Sequence, residues 1–320
     1  MIGRAGRRSL LASLALVAGL AGCDQFATGM QPVATTDPAK PAQEPTEMAE
    51  PSAESRALTA YYEGLQASLL AQGLLRGDGG GPDTPFTDTI LARNFVRIAL
   101  FNEYVDDSDF QRPRSTISTL RRWDGPIRMS IEFGDLVPPD QRLRDLNAVT
   151  TFAARLSRLT GVPITFTDRD PNFRVLFLHE EERRAYAATL RDLIPSMSQA
   201  TLSTFENLPR DQLCVVIGTF EAGRSNYNKA VAMIRAEHPS LMRTACIHEE
   251  LAQGMGLAND SPAARPSIFN DDEEFALLTR HDELLLQMLY DPRLQTGMDA
   301  ATAAPIARQI ARDYLAAGAS

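Results

Sequence analysis

The sequence predicts an α+β domain in which a mixed sheet backs one central helix, with extra helices on its N-terminal side. Three observations carry that prediction. Several long segments place apolar side chains at helical spacing. Shorter segments between them either alternate apolar and polar residues or are apolar throughout, as half-buried and fully buried strands do. Along the chain the order is helix, strand, helix, strands, helix, which suits an α+β arrangement.

Leu58 to Leu75 reads as the first helix, with Leu58, Tyr61, Leu65, Leu69 and Leu70 at helical spacing, and the run Gly77-Asp78-Gly79-Gly80-Gly81 ends it. Phe86 to Tyr104 is the second, through Ile90, Phe95, Ile98, Ala99 and Phe101. Pro126 to Phe133 alternates as a half-buried strand should. Leu143 to Leu159 returns to helical spacing, with Leu146, Val149, Phe152, Ala153 and Leu156 on one side. Two short strands follow, Ile164 to Thr167 and Phe173 to Leu178, and then a charged helix from Glu180 to Leu193. Gln212 to Phe220 is a strand of the fully buried type, on Leu213, Val215, Val216 and Ile217. The apolar run Lys229 to Ile234 leads into the central helix, about Leu241 to Leu257. Beyond it, the acids from Asp271 to Glu274 have two readings, a calcium site or a capping box in which Asn270 and Glu273 open a helix running to Thr279. The capping box is the expectation adopted.

The first residues bear on location. Arg4, Arg7 and Arg8 precede the apolar run Leu10 to Leu20, which is too short to span a bilayer as a stable helix. The run closes on Leu20-Ala21-Gly22-Cys23, which resembles the lipobox of bacterial lipoproteins. That resemblance implies a signal peptide over residues 1–22, fatty acyl chains (palmitate) on Cys23, and a stable lipid anchor to the membrane on the periplasmic side of the cell envelope. Asp24 resembles an inner-membrane retention signal. An ordinary secretory cleavage site with an incidental cysteine is the other reading. Residues 23–55 are rich in Pro, Ala, Thr and Glu and poor in large apolar side chains, the composition of a disordered tether. Residues 56–320 are then the domain.

Removing residues 1–22 takes away three arginines and no acid, moving the formal charge from −9 to −12. So acidic a protein is unsuited to nucleic acid, and no nucleic-acid partner is expected. With Cys23 committed to lipid, Cys214 and Cys246 remain as an even pair in an oxidising compartment. They form either a disulfide or two buried thiols. The compartment favours the disulfide, which would pin the central helix to a strand and stabilise the fold by about 3–4 kcal/mol.

The chemistry-bearing stretch is Glu249-Glu250-Leu251-Ala252-Gln253-Gly254-Met255-Gly256-Leu257-Ala258-Asn259-Asp260. Glu249 and Gln253 are four apart and share a helix face, and Gly256 can end the helix in a turn that returns Asn259 or Asp260 toward them. This spacing resembles the metzincin zinc-peptidase signature, and the segment Leu278 to Tyr290 resembles the C-terminal helix of matrixin-like members. The resemblance covers about residues 120–295 and implies a zincin fold. It puts Glu249 and Gln253 at two metal-ligand positions, Asn259 or Asp260 at the third, Glu250 at the general base and Gly256 at the turn. The expected histidines are replaced by oxygen donors, which suit calcium or another hard cation better than zinc. The register His248-Glu249 fails because Ala252 stands at its second ligand position, and Ser267-Ile268-Phe269-Asn270 stands where the family has a methionine turn. The wider pattern, from Cys246 through Asp291-Pro292-Arg293-Leu294, is similar to a family of bacterial envelope lipoproteins and implies no particular reaction.

The same residues also fit ordinary helix chemistry, with Glu249 and Glu250 as dipole-stabilising acids and Gly256 as a cap. Without imidazole ligands, the expectation is a non-catalytic binding or assembly factor whose partner is an envelope protein or peptide. An active hydrolase with Glu250 as its base is the alternative.

Overall fold

The structure is a computed structural model and describes residues 50–102, 116–220, 223–270 and 272–318. Met1–Glu47 and Met48–Ser320 separate as two units, and the elements below belong to the second. The signal segment, Cys23 and the tether up to residue 49 lie outside the described residues.

Helix α1 (Ala53–Ala71) starts earlier than its apolar spacing suggests, because the Ser52 side chain accepts from the Ser55 amide and caps it. Helix thus begins at Ala53, inside the stretch expected to be a tether up to residue 55, and left-handed Gly73 and Leu75 end the segment. Helix α2 (Asp88–Ala99) is capped by Thr87 and gives way to a small hairpin, β1 (Phe101–Asn102) with β2 (Thr116–Ile117). Helix α2 is thus shorter than the Phe86–Tyr104 span; Tyr104 lies outside the described residues.

The main sheet takes β3 (Ile127–Phe133), β4 (Ile164–Phe166), β5 (Phe173–Leu178), β6 (Cys214–Phe220) and β7 (Tyr227–Arg235) in the order β4-β3-β5-β7-β6. All neighbours pair in parallel except β6, which runs antiparallel to β7 along one edge. Period-two alternation divides the core between the faces. Phe173, Val175 and Phe177 of β5 and Ala230, Ala232 and Ile234 of β7 face helices α3 (Pro139–Thr160) and α6 (Ser240–Gln253). Leu176, Leu178, Val231 and Met233 face α4 (Glu180–Leu193) and α5 (Gln199–Glu206).

The fully buried character read in β6 is half right. Val215 and Ile217 pack on the α4–α5 side and Cys214 in the larger core, yet β6 pairs with β7 alone and is an edge strand. Two further helices lie on the far side of the core. Helix α7 (Arg280–Leu289) and α8 (Ala300–Gly318) both pack against α2. Neither α5 nor α8 is evident from the sequence pattern.

The helix expected to open at Asn270 is absent. The capping box lies nine residues on, where Thr279 caps α7 and Asp282 reaches back to the Thr279 amide. Asn270 instead donates from Nδ2 to Asp272 Oδ2 at 3.1 Å. The expected bridge between Cys214 and Cys246 is present and joins β6 to α6.

Candidate acidic cleft

Helix α6 runs under the edge strand β6, and the two enclose a cleft of about 260 Å³. Glu249 and Glu250 reach it from the last turns of α6, Gln253 from the final helical residue. Gly254 follows as the cap and the chain turns through Gly256. A side chain at Gly256 is excluded twice: its φ is 123°, and a Cβ would stand 2.2 Å from the Arg121 carbonyl oxygen. Two aromatic donors satisfy the carbonyls this turn leaves open. Trp123 Nε1 donates to Gly254 O at 2.8 Å, and Tyr290 Oη donates to Met255 O at 2.9 Å.

The turn brings one of the two candidate third ligands back. Gln253 Nε2 donates to both carboxylate oxygens of Asp260, at 3.2 and 3.3 Å, and Asp260 lines the cleft. Asn259, at the position the metzincin spacing gives to a ligand, points elsewhere. It is buried against the end of α2, where its Nδ2 donates to Arg97 O at 2.8 Å and its amide to Ile98 O at 3.1 Å. The physical reason is that the last carbonyls of a helix need donors, and Asn259 supplies two.

Glu250 is 3 % exposed and Gln253 8 %, while Glu249 is half-buried with its Oε2 3.9 Å from Cys214 Sγ. The opposite wall comes from the loop ahead of α7. Ile268 and Asn270 line it, with Glu273 beside them in a left-handed conformation (φ 56°) that a non-glycine residue adopts at some cost. Asn270 is 7 % exposed, and its Oδ1 has no hydrogen-bond partner among the described residues. This loop is held by fully buried Asp282, which accepts from Ser267 Oγ, the Ile268 amide and Thr279 Oγ. Sequence spacing alone does not connect Asp282, Asn270 or Glu273 to the site; the Thr279–Asp282 spacing was the available signal.

Among the described residues no imidazole lines the cleft. His248, next to Glu249, faces the α3 side: its Nδ1 accepts from the Leu278 amide at 2.9 Å, and its ring stacks on Phe152 at 4.0 Å. Burial, and secondarily the Arg155 charge, push its pKa down to about 3. Cys214, the one sulfur at the rim, is committed to the disulfide. The donor set facing the cleft is therefore carboxylate and amide oxygen, which suits a hard cation better than zinc.

Residues 88–309 match the family described as a protein of unknown function, DUF2927. The chain belongs to the DUF2927 family. No curated protein and no solved structure matches it. Every cleft residue named above falls within the DUF2927 span, whereas α1 and the last turns of α8 lie outside it.

Proposed function

We propose that this protein is a non-catalytic binding factor of the cell envelope, anchored through lipid on Cys23, whose acidic cleft holds a cationic ligand. The observation that carries this reading is the gathering of Glu249, Glu250, Gln253 and Asp260 at one cleft without an imidazole. Neighbouring carboxylates in a partly enclosed site repel one another, and a cation between them relieves that repulsion. Calcium, or a basic side chain of an envelope protein or peptide, has the matching chemistry. A mixed sheet backing the motif helix, the turn at Gly256 and the returning Asp260 support a metzincin-like scaffold adapted to this use.

Calorimetry of the disulfide-closed protein with calcium tests the reading, alongside incubation with envelope proteins. Calcium uptake is expected to weaken by about tenfold in Glu249→Gln and in Glu250→Gln, with no proteolysis by either form. Cleavage that Glu250→Gln abolishes would replace this reading with an envelope hydrolase in which Glu250 is the general base.

A further inference from the structure

The misfit with zinc depends on the oxidation state of one bond. Cys214 Sγ and a carboxylate oxygen from each of Glu249 and Glu250 all lie within 4.8 Å of one another, the only such group of potential ligands among the described residues. Ligand atoms around a tetrahedral zinc stand about 3.5 Å apart, given bonds of about 2.0–2.3 Å. The 3.9 Å between Cys214 Sγ and Glu249 Oε2 is close to that spacing. In the disulfide this sulfur is not available as a thiolate ligand. The two sulfurs are also unlike in surroundings. Both are buried, but Cys214 lines the cleft, whereas Cys246 lies with its Sγ 3.7 Å from His238 Nδ1 and takes no part in the lining. Opening the bridge thus presents one sulfur to the acids and leaves the other in the core. Asn270 Oδ1, buried in the facing wall and without a hydrogen-bond partner among the described residues, marks the same cleft as built for a ligand.

We propose that reduction of the Cys214–Cys246 bridge turns the rim of the cleft into a site for a borderline divalent cation such as Zn²⁺ or Co²⁺, held by Cys214 Sγ and by Glu249 and Glu250. The redox step is thiol–disulfide exchange with a dithiol reductant. Its two thiols become a disulfide, and two electrons and two protons pass to Cys214 and Cys246. Two carboxylates disfavour a bare thiolate beside them, so the thiol gives up its proton to solvent as the metal binds. The oxidised cleft presents oxygen donors and the reduced cleft presents sulfur and oxygen, so one site changes metal class with the redox state of its own rim.

Cobalt reports the thiolate directly, through a sulfur-to-metal charge-transfer band in the near ultraviolet. The full chain is used with Cys23→Ser, so that Cys214 and Cys246 are its only sulfhydryl sources. The oxidised protein should show no band with Co²⁺. The phosphine-reduced protein should show one that saturates at one equivalent and is displaced by Zn²⁺. Adding Cys246→Ser should give the band without reductant, adding Cys214→Ser should abolish it, and Glu249→Gln should weaken binding by about tenfold. Absence of the band from both the reduced protein and the Cys246→Ser form overturns the proposal, as does a band that survives Cys214→Ser. A reduced chain that loses its circular dichroism and does not regain it with stoichiometric zinc overturns it too. Calcium binding by the oxidised protein is a separate measurement and stands or falls without this one.

Discussion

His238 and His248 show how single residues in this fold tie stability to pH. Each is buried, and burial pushes each pKa down from 6.5 to about 3; Arg235 adds to the effect at His238 and Arg155 at His248. Both are therefore neutral in the folded protein at any pH above the low end of that range. The unfolded chain takes up a proton at each as pH falls through 6.5, while the folded chain takes up neither until about pH 3. Stability is complete above pH 6.5 and is lost as pH falls, by about 1.4 kcal/mol per pH unit for each histidine once well below 6.5. At pH 5 the two together should remove about 4 kcal/mol relative to pH 8. Carboxylates held low in the folded state, such as Glu237, add their own loss only below about 4.5. Urea midpoints at pH 8, 6.5 and 5 measure this, and a flat profile across that range would show that the buried imidazoles do not control it.

At the scale of elements, α1 is the instructive case, because it lies outside the DUF2927 span and yet is tied in by buried polar groups. Ser55 Oγ donates to Glu237 Oε1 at 2.6 Å and lies 2.8 Å from His179 Nδ1, with all three side chains buried. Further along, Tyr62 packs edge-on against His238 and donates to Arg210 O. Ser55→Ala leaves Glu237 Oε1 with the Glu180 amide as its donor at 2.7 Å and takes the hydroxyl partner from His179 Nδ1, at a cost of about 1–3 kcal/mol. Hydrogen exchange should then quicken across 53–71 while β5 and β7 keep their protection, and equal loss in the strands would mean that α1 is part of the central cooperative unit. The elements that the sequence displays best are those whose signals are local. Helix α4 follows from its charge pattern and β5 from its compact apolar run, and both bounds agree with the structure. Features set by distant partners were not legible. Strand β6 is apolar because helices cover both its faces, and nothing in its own residues shows that one edge stays open. Asn270 and Glu273 have the spacing of a cap, but the segment serves the cleft wall and Asp282 places the true cap at Thr279. Asp260 and Asn259 are adjacent, and only the position of α2 decides which returns to Gln253.

For the whole molecule, the proposed function treats anchoring and binding as separable properties. The described residues carry their own hydrophobic clusters. No described helix is long and apolar enough to cross a membrane. In the proposed function, membrane attachment is through lipid on Cys23. Acyl chains stabilise anchoring by about 0.8 kcal/mol per buried CH₂, and one chain gives only marginal binding, so loss of the modified cysteine should release the protein completely. Labelling of bacterial cells with radioactive palmitate should mark the wild-type chain and leave Cys23→Ser unmarked. The wild type should sediment with membranes. Once solubilised, both forms are expected to share one urea midpoint. Equal labelling of the two would remove the lipid from the proposal, and a lower midpoint for Cys23→Ser would show that anchor and domain are coupled after all.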